Sequence, residues 1–410
     1  MRIAVIGGGI VGIAVTHALL DEGHEVELID REGPAGGASA GNAGWIAHMD
    51  ILPLASPKAW AYLPRWMLDP LGPLSIAPAY LPRLLPWLLR FGAASMPGRI
   101  AAGSVAIRAI NAIALPAWER RLGKLGLEAL LRRRGILSVW TNPSDFAAAA
   151  SLHSRQSALG IPVERLDAAG LRRLEPAFGQ TVVGGALYET GVHVADPRLF
   201  LETLSAYAWS RGARRTVSEV SDLEPSASGV TLHLASGERR VAERVVLAAG
   251  AWSRHLAARS GDRVPLDTER GYNITVAPGS LGLARPVMYE GLGFVTTPLD
   301  TGDRIGGSVE FAGLNAPANW ARVDAMLSRL KRVLPDVDIG DGVRWMGFRP
   351  STPDSLPVIG AASRNPRIVH AFGHGHYGLT QAAVTADMVA ALIAGRQPPV
   401  ALAPYSPQRF

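Results

Sequence analysis

The first thirty residues limit what this chain can become. Arg2-Ile-Ala-Val-Ile6 is a short apolar run that reads as a buried parallel strand. Gly7, Gly8, Gly9, Ile10, Val11 and Gly12 follow at once and fit G-x-G-x-x-G. Val11 to Leu20 carries apolar residues at helical spacing. Gly23-His24 ends that helix, and Glu25-Val-Glu-Leu-Ile29 reads as a second strand closed by Asp30. Gly7 permits the tight turn out of the first strand. Gly9 has no Cβ, so a pyrophosphate can approach the helix N-terminus beside Ile10 and Val11, where N–H groups and the helix dipole favour an anion. Gly12 lets helix and strand pack closely. Asp30 can accept hydrogen bonds from ribose hydroxyls. Strand, glycines, helix, strand and acid in this order predict a Rossmann-like dinucleotide-binding unit. The motif alone does not separate FAD from NAD.

The chain has 410 residues, 48% of them hydrophobic and 19% charged, which is enough for two domains with substantial cores. It has no cysteine, which excludes disulfides, thiolate metal sites and cysteinyl attachment of a flavin. The net charge of +6 comes mostly from arginine, with lysine only at Lys58, Lys124 and Lys331. This charge is scattered and no nucleic-acid motif accompanies it, so no nucleic-acid partner is expected. The first strand starts at residue 2, with no secretory pattern before it. No uncharged apolar run reaches the ~18 residues needed to span a bilayer. A cytoplasmic protein is expected, with peripheral contact to the inner membrane left open.

Glu32 to Ile46 is a loop of small residues, including Ser39, Asn42, Ala43 and Gly44, suited to bring backbone N–H groups against a flat polar ligand. Ile51 to Phe91 is rich in Pro, Leu and aromatics: Trp60, Tyr62, Trp66, Tyr80, Trp87 and Phe91, with Lys58, Arg65, Arg83 and Arg90 among them. Its many prolines predict short broken pieces. Two readings stand for it, a roof over the active site or an interfacial surface with Trp66 and Trp87 toward lipid. Helices are expected over 100–134, 142–158, 166–174, 197–210, 319–333 and 379–394. Strands are expected over 135–140, 182–188, 244–248, 343–349 and 368–372, with a hairpin over 217–234. Alternating short strands between 264 and 311 predict an antiparallel sheet. The fold class is α/β: a discontinuous dinucleotide-binding unit (1–50, 190–255, 343–410) and an α+β substrate or cap unit on that sheet (51–189, 256–342).

These pieces resemble the flavin-dependent amino-acid oxidoreductases of the D-amino-acid oxidase superfamily. Its landmarks here are the opening fingerprint, Ser39 to Gly44, Val245 to Ser253, Gly347-Phe-Arg349-Pro350 through Gly360, and Gly373 to Thr380. Arg349-Pro-Ser-Thr-Pro-Asp354 is similar to the bacterial D-amino-acid dehydrogenase branch. Phe372 to Thr380 looks like members acting on cis-4-hydroxy-D-proline. The resemblance implies noncovalent FAD, held by Gly7, Gly9 and Gly12 at the pyrophosphate and by Asp30 and Arg31 at the adenosine. Val220 would meet adenine. Ser39, Asn42, Ala43 and Gly44 would run along pyrophosphate and flavin, and Ala249, Gly250 and Trp252 would pass close to the cofactor. Gly373, Gly375, Gly378, Leu379 and Thr380 would cover the flavin at the N-terminus of the last helix, where the dipole favours negative charge on the reduced ring.

The resemblance also makes Arg349 the residue that binds the substrate carboxylate as a bidentate pair. Tyr272 and Tyr289 would share that carboxylate or close the pocket, and His48, His374 and His376 would line the flavin. No metal is expected, because no matching acidic pair accompanies the histidines. The implied reaction is oxidation of the Cα–N bond of a D-amino acid, with electrons passed to a respiratory quinone or dye. Two alternatives stay open: an oxygen-using oxidase of secondary amines or glycine, and a partner-dependent or non-catalytic flavoprotein subunit. Homo- or hetero-oligomers are open too.

Overall fold

The structure is a computed structural model, and it describes residues 1–55, 69, 71–226 and 228–410. A six-stranded sheet carries the opening motif. Its order is Arg214–Val217, Glu25–Asp30, Arg2–Ile6, Arg244–Leu247, Ile368–Phe372 and Val358–Ala361; the first five strands are parallel and the last is antiparallel. Helix Ile10–Asp21 follows the first strand as expected and is buried over nearly its whole length. It packs against helices Gly378–Ile393 and Pro197–Ser210, which is why it is apolar on every side rather than on one stripe. Asp196 caps helix Pro197–Ser210 by accepting from the Leu199 N–H at 2.8 Å, with proline in the first turn.

The second large sheet has nine strands. Val343–Ser351, Asp267–Val276, Gly302–Phe311, Phe294–Leu299 and Val287–Tyr289 form an antiparallel run that continues into Ile136–Trp140, Gly184–Tyr188 and Glu164–Asp167, with Leu74–Ile76 beside Gly302–Phe311. The expected antiparallel sheet is therefore present, with longer strands than the short runs of sequence suggest. Strand Val343–Ser351, placed by sequence with the dinucleotide unit, pairs with Asp267–Val276 instead. We propose a two-unit division built on these two sheets, with Val343–Ser351 in the antiparallel one. The expected hairpin gains a third strand: Val220–Pro225, Val230–Leu234 and Arg239–Ala242.

Three local expectations give way to specific residues. The single helix over 100–134 is two helices, Pro97–Asn111 and Ala114–Leu125, ended by Gly126 at φ 67°. Pro116 lies in the first turn of the second helix, where its missing N–H costs nothing, whereas an unbroken helix would need that N–H. The helix over 142–158 breaks at Ala149 into Pro143–Ala148 and Ala150–Ala158. Conversely, Leu81–Ala94 is a continuous helix despite Pro82 and Pro86. Pro82 sits in its first turn, and Pro86 leaves unpaired only the carbonyl of the exposed Pro82. Trp60, Tyr62 and Trp66, with Lys58 and Arg65, lie outside the described residues.

Candidate active site

A cavity of about 920 Å³ lies outside the carboxyl ends of the parallel strands and reaches the antiparallel sheet. Open α/β sheets bind ligands at this place. One end is made by Gly7, Gly9, Ile10, Val11, Asp30, Arg31, Val220, Ala249, Gly250 and Trp252, all expected from sequence. The N-cap residue of helix Ile10–Asp21, Gly9, has no side chain to cap it, and Ser39 Oγ takes the Ile10 N–H, so the Val11 end of the first turn faces the cavity. Gly7 has φ 110° and lies so close to Ala248 that a Cβ would reach within 2.3 Å of its carbonyl oxygen. Gly12 packs on the carbonyl of Gly7 and does not line the cavity. Asp30 accepts from the N–H groups of Gly8 (2.7 Å), Glu32 (2.9 Å) and Gly33 (2.7 Å), fixing both turns at this end. The Arg31 guanidinium lies 3.7 Å above the Trp252 ring. A helix N-terminus at the cavity, a Cβ-free approach at Gly9 and the acid that ends the second strand fit a dinucleotide.

The loop after Glu32 is tied down by the other sheet. Ile10 N–H donates to Ser39 Oγ at 2.9 Å, and Asn42 bridges the Ser39 carbonyl and the Gly44 N–H. Asn273 donates to the Gly41 carbonyl, Thr297 to that of Ala43, and Arg304 to those of Ala40 and Asn42. Gly44, at φ 81°, turns the chain behind the cavity wall. Thr380 accepts from Ala47 N–H at 2.9 Å and ties this loop to the last helix without lining the cavity. Gly375, Gly378 and Leu379 do line it, whereas Gly373, at φ 80°, packs on Thr352.

The far wall is built around Arg349. Its neighbour across the sheet is Glu269, in direct register. Arg349 Nη1 donates to the Ser308 carbonyl at 3.0 Å. Ser308 has φ 52° beside a register shift in strand Gly302–Phe311. A bulge of this kind re-aims a backbone group, here toward the guanidinium. Gly271 leaves room for it: a Cβ there would lie 2.3 Å from Nη2. His376 Nε2 meets Glu269 Oε2 at 2.7 Å. Burial pushes the Glu269 carboxyl up, but His376 and Arg349 more than offset this and hold it below its ordinary value.

Asp50 lines the same cavity, near Tyr377 and Glu290. Burial, and then the Glu290 charge, push its carboxyl up to about 7. Neither Glu269 nor Asp50 stood out in the sequence. Asp50 had a signal, an acid next to the apolar Met49 and Ile51, whereas Glu269, in Asp267-Thr-Glu-Arg270, had none.

Of the other expected residues, His374 and His376 line the cavity. His374 is buried, bonded to Thr385 Oγ1 at 2.9 Å, and burial lowers its pKa to about 3, so its imidazole stays neutral. Tyr272 lines the cavity too, but its hydroxyl donates to Glu310 and accepts from Asn319 N–H, so it is not available to a carboxylate. Tyr289 is not at the cavity: it stacks on Phe294 at 4.6 Å in the core of the antiparallel sheet. His48 is also elsewhere, bonded to the Ile46 carbonyl and Thr190, and burial lowers its pKa. Among the described residues no group of three or more His, Asp or Glu is placed to hold a metal ion.

A dinucleotide cleft beside a half-buried arginine suits an enzyme that holds a dinucleotide cofactor next to an anionic substrate. Residues 2–392 match the FAD dependent oxidoreductase (DAO) family, and the chain belongs to it. It is 34% identical to a D-amino-acid oxidase of Bradyrhizobium diazoefficiens, over all of this chain and 99% of that one. It is 31% identical to a D-amino acid dehydrogenase of Sinorhizobium medicae, over 97% of both. Its fold matches glycine oxidase from Geobacillus kaustophilus at a TM-score of 0.77 and 24% identity, covering 100% of this chain and 99% of that one. The protein is thus an FAD-dependent amino-acid oxidoreductase.

Proposed function

We propose that this enzyme oxidises the Cα–N bond of D-amino acids, with cyclic substrates such as cis-4-hydroxy-D-proline foremost, and passes the electrons to a quinone- or dye-type acceptor. The observation that carries the reading is Arg349, fixed in the cavity wall by Ser308 and faced by Glu269. Its guanidinium would receive the substrate carboxylate and so hold Cα at a fixed distance from the far wall of the cavity. FAD, held by the residues named above, would supply the hydride-accepting chemistry. Glu269 and His376 hold the charge balance around Arg349, and Gly271 keeps the guanidinium's place free of side chain. Gly7, Gly9, Asp30 and the Ser39–Gly44 loop would hold the cofactor. The curated relatives' names support D-amino acids as substrates.

The test is anaerobic reduction of the purified yellow protein by D-, L- and N-methyl amino acids and by glycine. Bleaching by D-amino acids, fastest with D-proline-like rings, is expected. Faster reduction by D-alanine than by any ring amine would remove the cyclic preference alone. Bleaching by glycine or N-methyl amino acids but by no D-amino acid would overturn the reading in favour of a secondary-amine oxidase. Flavin that no amine bleaches would indicate a partner-dependent subunit.

A further inference from the structure

The cavity holds an acid that the reaction above does not use. Apart from histidines, its charged lining residues among those described are Asp30, Arg31, Glu32, Glu219, Arg304, Arg349 and Asp50. The first four belong to the dinucleotide end, and Arg304 is committed to the carbonyls of Ala40 and Asn42. Arg349 and Asp50 remain. Asp50 is fixed from behind. Asn111, fully buried, donates to the Asp50 carbonyl at 3.0 Å, and Gln381 donates to Asn111 at 3.0 Å. Gln156 donates to the carbonyl of the preceding Met49 at 3.2 Å. A backbone bonded in this way presents its side chain in one place. The Asp50 carboxyl meets the Tyr377 hydroxyl. Tyr377 follows His376 in the turn Gly375–Tyr377, and His376 holds Glu269 opposite Arg349. One turn thus carries a neighbour of each charged group.

Arg349 and Asp50 are not close neighbours. Burial and Glu269 set the charge of Arg349, whereas burial, Glu290 and Tyr377 set that of Asp50, and neither enters the other's balance. An α-amino acid carries its amine one carbon from its carboxylate. With the carboxylate on Arg349, a group that reaches Asp50 therefore belongs to the side chain. No cation is among the groups that set the charge of Asp50, and the acid Glu290 is. Such a carboxyl favours a ligand that donates a proton or carries positive charge. The described part of the proline-rich stretch closes on the same cavity, through Leu54, Pro73 and Leu74, with Met288 and Val309 from the antiparallel sheet side. The side chains of these residues offer a substrate no strong hydrogen bond, so a carboxyl in their wall discriminates: an apolar substituent would desolvate it without replacing the water. Trp87 belongs to this closure and not to an outer surface. It is buried, stacks on Phe91 at 5.2 Å, meets Phe311 at 5.1 Å and donates to the Ser351 carbonyl at 3.3 Å. The expectation that Trp87 faces lipid is therefore replaced: its ring anchors helix Leu81–Ala94 to the antiparallel sheet.

We propose that Asp50 is a specificity residue, which accepts a hydrogen bond from an O–H or N–H donor on the side chain of the amino acid whose carboxylate Arg349 holds. The inference rests on the reading of Arg349 given above and does not need the cyclic preference. The test is anaerobic reduction of the flavin-loaded protein at pH 8, where the Asp50 carboxyl, pushed up to about 7, is mostly ionised. Substrates are compared in matched pairs: cis-4-hydroxy-D-proline against D-proline for a hydroxyl, and D-lysine against D-norleucine for an ammonium. In at least one pair the donor-bearing member is expected to bleach the flavin at least about tenfold faster at equal low concentration, and the pair that does so identifies the donor. Asp50→Ala is expected to bring that ratio close to one. Asp50→Asn keeps one acceptor oxygen and the size of the side chain, so it should retain part of a hydroxyl preference and none of an ammonium preference. It also serves if Asp50→Ala does not hold flavin. Equal rates within both pairs in wild type overturn the proposal and leave the reading of Arg349 standing. A loss in the variants that both members of a pair share, with the ratio intact, gives Asp50 a structural role and overturns the proposal too. Wild-type flavin that no D-amino acid bleaches defeats the D-amino-acid reading and this inference with it.

Discussion

Glu269 and Arg349 stand opposite each other in neighbouring antiparallel strands, and His376 closes on the same carboxylate at 2.7 Å from a third element. An acid beside the guanidinium proposed to bind the substrate carboxylate looks counterproductive, since it opposes the substrate's own charge. Its place is explained by burial. Arg349 is lowered from its ordinary pKa by desolvation, and Glu269 is the charge that offsets this.

Replacing that acid is expected to damage the site more than removing a repulsion could help it. Glu269→Gln should raise KM for amino-acid substrates and lower stability by roughly 1–3 kcal/mol, the cost of a buried group losing its partner. Steady-state kinetics and denaturant unfolding check this. Glu269→Gln with wild-type stability and an improved KM would show that the acid does not support Arg349.

Arg349→Ala should weaken substrate binding by roughly 2–5 kcal/mol while leaving FAD content nearly unchanged. Arg349→Lys should restore little, because a single ammonium cannot make the planar two-point contact. Gly271→Ala should reproduce much of the loss, since its new methyl would lie 2.3 Å from Nη2 and push the guanidinium aside. Flavin absorbance and substrate titration separate the two functions. Wild-type kinetics in Arg349→Ala would remove this residue from the site.

Asp50 gives the stability a pH dependence. Its folded pKa, pushed to about 7 by burial and then by Glu290, lies above the ordinary value of 3.8. Between these values the folded state binds more protons than the unfolded one, so this group's contribution falls as pH rises through that window. Asp50→Asn should melt higher than wild type at pH 8 and show a smaller gap at pH 4. Melting curves of the substrate-free, flavin-loaded protein at the two pH values provide the measurement. An equal gap at both would assign the difference to something other than this proton.

The first sheet and the cofactor end were legible because their signals are local. Gly7, Gly9 and Asp30 lie within one strand–helix–strand unit, and all three line the cavity. Arg349 was legible through Gly-Phe-Arg-Pro. Glu269 was not, because its meaning arises only when Asp267–Val276 pairs with Val343–Ser351, across about eighty residues of chain. Tyr289 and Tyr272 look alike in sequence, each a tyrosine in a short strand. The difference between them, a stacked core ring and a cavity wall, depends on pleat and register. Leu81–Ala94 was hidden by its prolines, whose cost in a helix depends on whether the orphaned carbonyl meets water.

The ties on the Ser39–Gly44 loop bear on how the protein is made. Asn273 to Gly41, Thr297 to Ala43 and Arg304 to Ala40 span 232, 254 and 264 residues. A nascent chain therefore carries the whole fingerprint long before it can build the loop that completes the cleft. Closing such long segments is entropically costly and comes late in folding. Flavin capture is therefore expected to wait for strand Gly302–Phe311, and a chain truncated before it is expected to be colourless, whatever the state of its first thirty residues.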